Sequence, residues 1–96
     1  MKVILRPHLK IRLKERLIPE SYPGKIISKP DAKYFDTATN HQVAIKELAY
    51  NGKLRPMVVA YDIIEKDLQV ITVHPASNQE IKNKVLRGRW VRYEKN

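Results

Sequence analysis

Three groups of side chains in this sequence could do chemistry on a charged substrate. The first lies in His8-Leu9-Lys10-Ile11-Arg12-Leu13-Lys14-Glu15-Arg16, where His8, Arg12 and Glu15 stand at offsets of four and three residues. On a helix they share one face. A histidine beside an arginine can move a proton while the guanidinium holds a phosphate; the same trio also reads as a solvated helix face. Arg16, one turn on, extends the basic stripe. The second group is Lys46, Arg55, Tyr61 and His74, all on segments patterned as strands. Charged groups on apolar strands need a reason, because burying an unpaired charge is unfavourable. They either surround a phosphate-binding hollow on an open sheet face or line an exposed face or edge. Pro56 holds Arg55 extended near a hairpin end. Asp62, beside Tyr61, reads as an outward partner for a lysine. Strict alternation puts His74 on one face with Leu68, Val70 and Thr72, so a hydrogen-bonded core position competes with a catalytic one. His41, beside a turn, reads as a residue without a role. The third group is C-terminal: Lys82, Lys84, Arg87, Arg89 and Arg92 flank Trp90 and Tyr93. Basic residues interleaved with aromatics neutralise phosphates and stack bases. The competing reading has Trp90 plugging the core and the arginines forming a solubilising rim.

The rest of the composition narrows the chemistry. Over 96 residues there are 19 Lys+Arg against 10 Asp+Glu, a formal charge of +9. Such an excess concentrates anionic partners at the surface, whether nucleic acid, an acidic protein or an anionic membrane. No cysteine is present, which removes disulfides, zinc thiolates and thiol catalysis. The three histidines are far apart and no carboxylate pair has ligand spacing, so neither a metal nor another cofactor is expected. With three glycines there is no phosphate-cradling loop. No apolar run reaches the roughly 18 residues of a membrane span. Met1 to Leu5 is too short for a signal peptide, so a reducing cytoplasm is the expected location.

These residues need positioning by local structure, and the pattern indicates how. Lys2–Leu5 is apolar, consistent with a strand or a tucked N-terminus. The spacing predicts a helix from His8 through Ile18, with Leu9, Leu13 and Leu17 in one stripe and Ile11 and Ile18 on another face. Pro19 to Pro30 contains three prolines and a glycine, and reads as a turn plus a short helix around Gly24–Ser28. Lys33–Thr37, His41–Tyr50, Leu54–Ile64 and Leu68–His74 read as strands, with a bulge expected near Glu47. Asn51-Gly52 is a strong hairpin signal, and the continuous apolar centre Met57–Ala60 predicts a strand covered on both faces. Ser77-Asn78-Gln79-Glu80 matches a capping box. A helix of about ten residues should follow, with Ile81, Val85 and Leu86 inward and Gly88 just past its end. The tail around Trp90 reads as a last edge strand. The expected fold is one α+β domain over residues 1–96, its N-terminal helices packed on a 3–4-stranded antiparallel sheet, with a C-terminal helix.

The segment His8-Leu9-Lys10-Ile11-Arg12-Leu13-Lys14-Glu15-Arg16-Leu17-Ile18 resembles the H-xxx-R-xxx-R opening of small toxin-like domains of the RelE/ParE-like superfamily, near its BrnT-type branch. Lys33–Thr37, Val43–Leu48, Val58–Tyr61 and Val70–Pro75 look like that group's strands, and Gly88-Arg89-Trp90 closes the likeness. The resemblance implies a metal-independent endoribonuclease in which an RNA 2′-hydroxyl attacks the adjacent phosphate. It also implies an acidic antitoxin as partner, and RNA, free or ribosome-bound, as substrate. Onto this chain it carries His8, Arg12, Lys46, Arg55, Tyr61 and His74 as proton-transfer or phosphate-binding residues. Arg16, Lys82, Lys84, Arg87, Arg89, Trp90 and Arg92 stand as RNA-binding candidates. A non-catalytic nucleic-acid-binding module and a protein-interaction domain docking an acidic partner compete with this reading. No membrane partner is expected, and a homodimer is compatible with the sequence.

Overall fold

A two-residue turn organises the sheet. Asn51 and Gly52 adopt φ of 56° and 84°, the left-handed pair of a type I′ turn whose twist matches the flanking strands. The computed structural model describes residues 2–92. In it the turn joins β3 (Gln42–Tyr50) to β4 (Lys53–Ile64), paired antiparallel from Tyr50↔Lys53 to Gln42↔Tyr61. Around this hairpin stand β1 (Lys2–Ile4), α1 (Pro7–Glu15), α2 (Tyr22–Ser28), β2 (Ala32–Asp36), β5 (Asp67–Pro75), α3 (Asn78–Leu86) and β6 (Trp90–Arg92).

The protein is α+β, but its sheet is larger than the pattern suggested and is mixed. Six strands run in the order β1-β5-β4-β3-β2-β6, with β1 parallel to β5 and the other pairs antiparallel. The two added strands have three residues each, too short to show alternation, and each pairs with a strand far away in sequence.

Both sheet faces are covered, which explains the apolar run. Ala44, Met57, Val59, Tyr61, Leu68, Val70 and Val73 pack beneath α1 and α2 with Leu9, Leu13, Ile18 and Ile26. Val43, Ile45 and Val58 face the other way and join Tyr34, Ala76 and Trp90, with Ile81 of α3 against them. Each fully buried aliphatic side chain contributes roughly 1.5–3 kcal/mol. The expected bulge near Glu47 is absent, because Val43, Ala44 and Ile45 are all buried on an ordinary alternating strand between two layers. The irregularity lies instead in β5. Ala60 pairs with Thr72 and Tyr61 with Val70, so Ile71 is the extra residue. That residue reverses the phase of β5. Leu68 and Val70 face α1 and α2, whereas Thr72 and His74 face the α3 side, so the single face that alternation predicted is split.

Helix ends follow their chemistry. Ser77 Oγ accepts from the Glu80 amide at 3.1 Å, and the Glu80 carboxylate accepts from the Ser77 amide at 3.1 Å. This is the expected capping box. At the far end the Gly88 amide donates to Val85 O and the Arg89 amide to Lys84 O, with Gly88 at φ 76°; this is a Schellman motif. Only Ile81 of α3 is half-buried against the second core, while Val85 and Leu86 are exposed. The inward face predicted for all three is therefore a single contact. α1 also ends earlier than expected, at Glu15, in the same kind of motif: the Leu17 amide donates to Lys14 O and the Ile18 amide to Leu13 O. Leu17 leaves the stripe, 82% exposed and at φ 58°, and Ile11 too is exposed. A side chain in that conformation costs about 1–2 kcal/mol, which glycine avoids. Leu17→Gly is therefore expected to stabilise the fold by about 0.5–1 kcal/mol after the added unfolded-state entropy is set against it. A higher urea midpoint with an unchanged m-value would show it; an unchanged or lower midpoint would refute it.

A candidate phosphate-binding hollow on the α3 face

The two-layered sheet divides the candidate residues between its faces. Lys46, Arg55 and Tyr61 lie on the side of α1 and α2. Tyr61 is a core residue, 3% exposed. Lys46 Nζ donates to Lys29 O at 2.9 Å and stands 3.9 Å from the Asp31 carboxylate, so it neutralises the C-terminal end of α2. Arg55 is half-buried opposite Leu48, and its Nε has no hydrogen-bond partner among the described residues. His8 and Arg12 sit on the exposed side of α1, and no ion pair joins Arg12 to Glu15 among the described residues. These five do not converge with His74, which faces the α3 side.

What does converge there is a different set. A cavity of about 240 Å³ opens beside α3, floored by Val43, Val58, Ala60 and Thr72 and edged by Ile71 and Trp90. His74 and Lys84 line it, as do Thr39, His41, Asp36 and Arg89. Arg16, outside that lining, adds a second cation near His74. Its NH1 donates to Val73 O at 2.9 Å, while Tyr50 OH donates to Arg16 O at 2.7 Å and holds that backbone in place. The carbonyl is available because β1 pairs only with Asp67, Leu68 and Gln69, leaving the outer edge of β5 beyond them without a strand among the described residues. Burial first, then the charges of Lys84 and Arg16, lower the His74 pKa from its ordinary 6.5; Glu80 acts weakly the other way. His74 is thus neutral at pH 7, and it imposes a stability penalty that grows as pH falls below 6.5. A ring titration by NMR should show a midpoint below 6.5 that rises in Lys84→Gln. A midpoint insensitive to Lys84 would remove that charge from the account.

At the other end of the cavity Asp36 is a hub. Its carboxylate accepts from Arg89 Nε at 3.1 Å and NH2 at 3.3 Å, from Trp90 Nε1 at 3.3 Å, and from the amides of Ala38 at 2.9 Å and Thr39 at 3.3 Å. Burial acts to raise its pKa, but the Arg89 bond and the two amides outweigh it and hold the group at about 2. Trp90 is 4% exposed, stacks on Tyr34 with centroids 5.7 Å apart and carries Lys84 Nζ 5.0 Å from its ring centre. So buried, it is a core residue and offers no stacking surface to a base. Arg92 lies over Tyr34 at 6.0 Å. Lys82 and Arg87 are exposed; Tyr93 lies outside the described residues.

Two residues that the pattern passed over complete the hollow. His41 Nδ1 lies 2.6 Å from Asp62 Oδ1. A carboxylate only accepts, so Nδ1 carries the hydrogen and Nε2 is left for a ligand. The pairing was reachable: carrying the Tyr50↔Lys53 register outward residue by residue arrives at His41 opposite Asp62. Asp36 had a fainter signal, a carboxylate ending an apolar strand just before a turn. None of the described residues forms a cluster of three or more His, Asp or Glu suited to a metal, and no described helix is long and apolar enough to cross a membrane. The chain matches no known family model, no curated protein and no solved structure.

Proposed function

We propose that this domain binds single-stranded RNA across its α3 face and cleaves it without a metal ion, with His74 as the proton acceptor. The observation that carries the reading is a half-buried histidine in a hollow that Lys84 also lines, with Arg16 bonded to the carbonyl of the preceding residue, Val73, on a chain of charge +9. Neutral imidazole can take the proton of a 2′-hydroxyl. The 2′ oxygen then bonds to the adjacent phosphorus and the bond to the 5′ oxygen breaks. The expelled oxygen takes a proton from water, leaving a 2′,3′-cyclic phosphate. Charge builds on the phosphate oxygens along this path, and Lys84 and Arg16 are the cations placed to stabilise it. Operation as a toxin, silenced by an acidic antitoxin, extends this proposal. Its support is the resemblance of His8–Ile18 and the basic surface.

The test is purified protein with end-labelled RNA in EDTA, free and on ribosomes. Cleavage to 2′,3′-cyclic ends supports the proposal. Intact RNA that shifts in a gel, with salt-dependent affinity, replaces it with the binding-module reading. Intact, unshifted RNA in both settings leaves the protein-docking reading.

A further inference from the structure

The lining of the hollow draws on β2 to β5, on α3 and on the segment that follows it. Sheet register orders it. The row Val58↔His74 lies at one end, the row Val43↔Ala60↔Thr72 in the middle, and the position of His41 opposite Asp62 at the other. Two cations line it: Lys84, whose Nζ lies 5.0 Å from the Trp90 ring centre and whose charge reaches His74, and Arg89, which holds Asp36 near His41. Asp36 engages only two of the five guanidinium donors of Arg89, so the others remain for an anion. Lys84 has no hydrogen bond or ion pair among the described residues. The rest of the lining is largely apolar, with Ala60 and Ile71 accessible over the buried Val43 and Val58, and the hydroxyls of Thr39 and Thr72 are the neutral polar groups in reach. A volume of about 240 Å³ is below the roughly 300–1,000 Å³ typical of drug-sized ligands.

We infer that this trough is a subsite for one unstacked nucleotide of a single strand. Its base lies against Ala60 and Ile71, and its two flanking phosphates meet Lys84 and Arg89. The inference rests on the RNA reading above and deepens it, because it names what the α3 face grips. Base recognition by an apolar platform with a few hydroxyls suits single strands, whose bases are free to turn out of the stack. Two anionic groups joined by a flat apolar body match two cations beside an apolar lining. The duplex cannot enter, since its bases are stacked and paired, so the site selects single strands.

The experiment is NMR titration of the whole chain with four probes: inorganic phosphate, a nucleoside, a nucleoside 5′-monophosphate and a nucleoside 3′,5′-bisphosphate. The bisphosphate is expected to bind at least 10-fold more tightly than the monophosphate, and both more tightly than phosphate or nucleoside alone. Shifts should be confined to β3, β4, β5 and the Lys84–Trp90 segment. Ala60→Leu, which fills the floor, should weaken both nucleotides at least 10-fold and leave phosphate binding unchanged. Lys84→Gln and Arg89→Gln should each bring the bisphosphate down to the monophosphate's affinity. If phosphate competes as well as the nucleotides do, or if the shifts map elsewhere, the subsite is overturned. RNA cleavage without nucleotide binding in the trough overturns the subsite and spares the proposed function. Nucleotide binding in the trough by protein that neither binds nor cleaves RNA does the reverse.

Discussion

Replacing His74 with alanine is expected to lower the rate of RNA cleavage by roughly 10²–10⁴-fold, the usual contribution of a positioned proton-transfer group. The loss should fall on kcat, since removal of a proton acceptor leaves the phosphate contacts of Lys84 and Arg16 in place. Those cations affect both binding and the charged transition state, so Lys84→Gln should lower kcat and raise KM together. His74 is half-buried and makes no hydrogen bond to another side chain among the described residues; the variant should keep its fold, which circular dichroism would confirm. The pH–rate profile separates catalysis from packing. Because burial, Lys84 and Arg16 lower the His74 pKa below 6.5, cleavage should rise through an acid limb centred below that value. Lys84→Gln should move the limb toward 6.5. Lys46→Ala provides the contrast: Lys46 faces the opposite layer and fastens the end of α2, so cleavage should stay within a few-fold of wild type. Full activity in His74→Ala, with the acid limb unmoved, would sink the proposed role.

The largest stability effect is expected at Asp36. Its side chain is 9% exposed and accepts bonds from Arg89, Trp90 and two turn amides. These contacts tie β2, its following turn and β6 together. Asp36→Ala leaves the Trp90 N–H buried without an acceptor and a guanidinium without its counter-charge. The expected cost is about 3 kcal/mol, which for a domain of this size lowers Tm by roughly 12–24 °C. Acid should reproduce part of the effect. The folded pKa of about 2 lies below the ordinary 3.8. The stabilisation is therefore complete above 3.8 and is lost as pH falls through about 2. Because Arg89 is 42% exposed, solvent screening reduces the pH-dependent part to about 1–2 kcal/mol. Thermal melts of both proteins from neutral pH down to pH 2 would test this. The Asp36→Ala curve should be flatter than wild type between pH 4 and 2, and parallel curves would refute the assignment.

Much of the local structure was legible in the residues because it depends on neighbours a few positions apart. The Asn51-Gly52 turn, the Ser77 and Glu80 capping box, the Gly88 helix end and the two-sided burial of Met57–Ala60 each rest on short-range geometry, and each is present. The strands of residues 32–75 follow from the same source. Lys2–Leu5 and the tail around Trp90 were readable as strand segments, but three residues cannot show which strand they join, so the sheet was expected with 3–4 strands and has six. Lys2–Ile4 becomes one only because the outer edge of β5 accepts it, and Trp90–Arg92 only because β2 does. The site lay deeper still. Which face a strand residue occupies is decided by register, and one extra residue in β5, Ile71, turned His74 away from Leu68 and Val70 and toward α3. The same parity sent Lys46, Arg55 and Tyr61 to the layer beneath α1 and α2. Histidine and the basic residues were visible in the composition from the start. That Arg16, His74 and Lys84 are the ones that meet was decided by tertiary structure alone, because a helix end, a sheet edge and a second helix are brought together only when both layers close on the sheet.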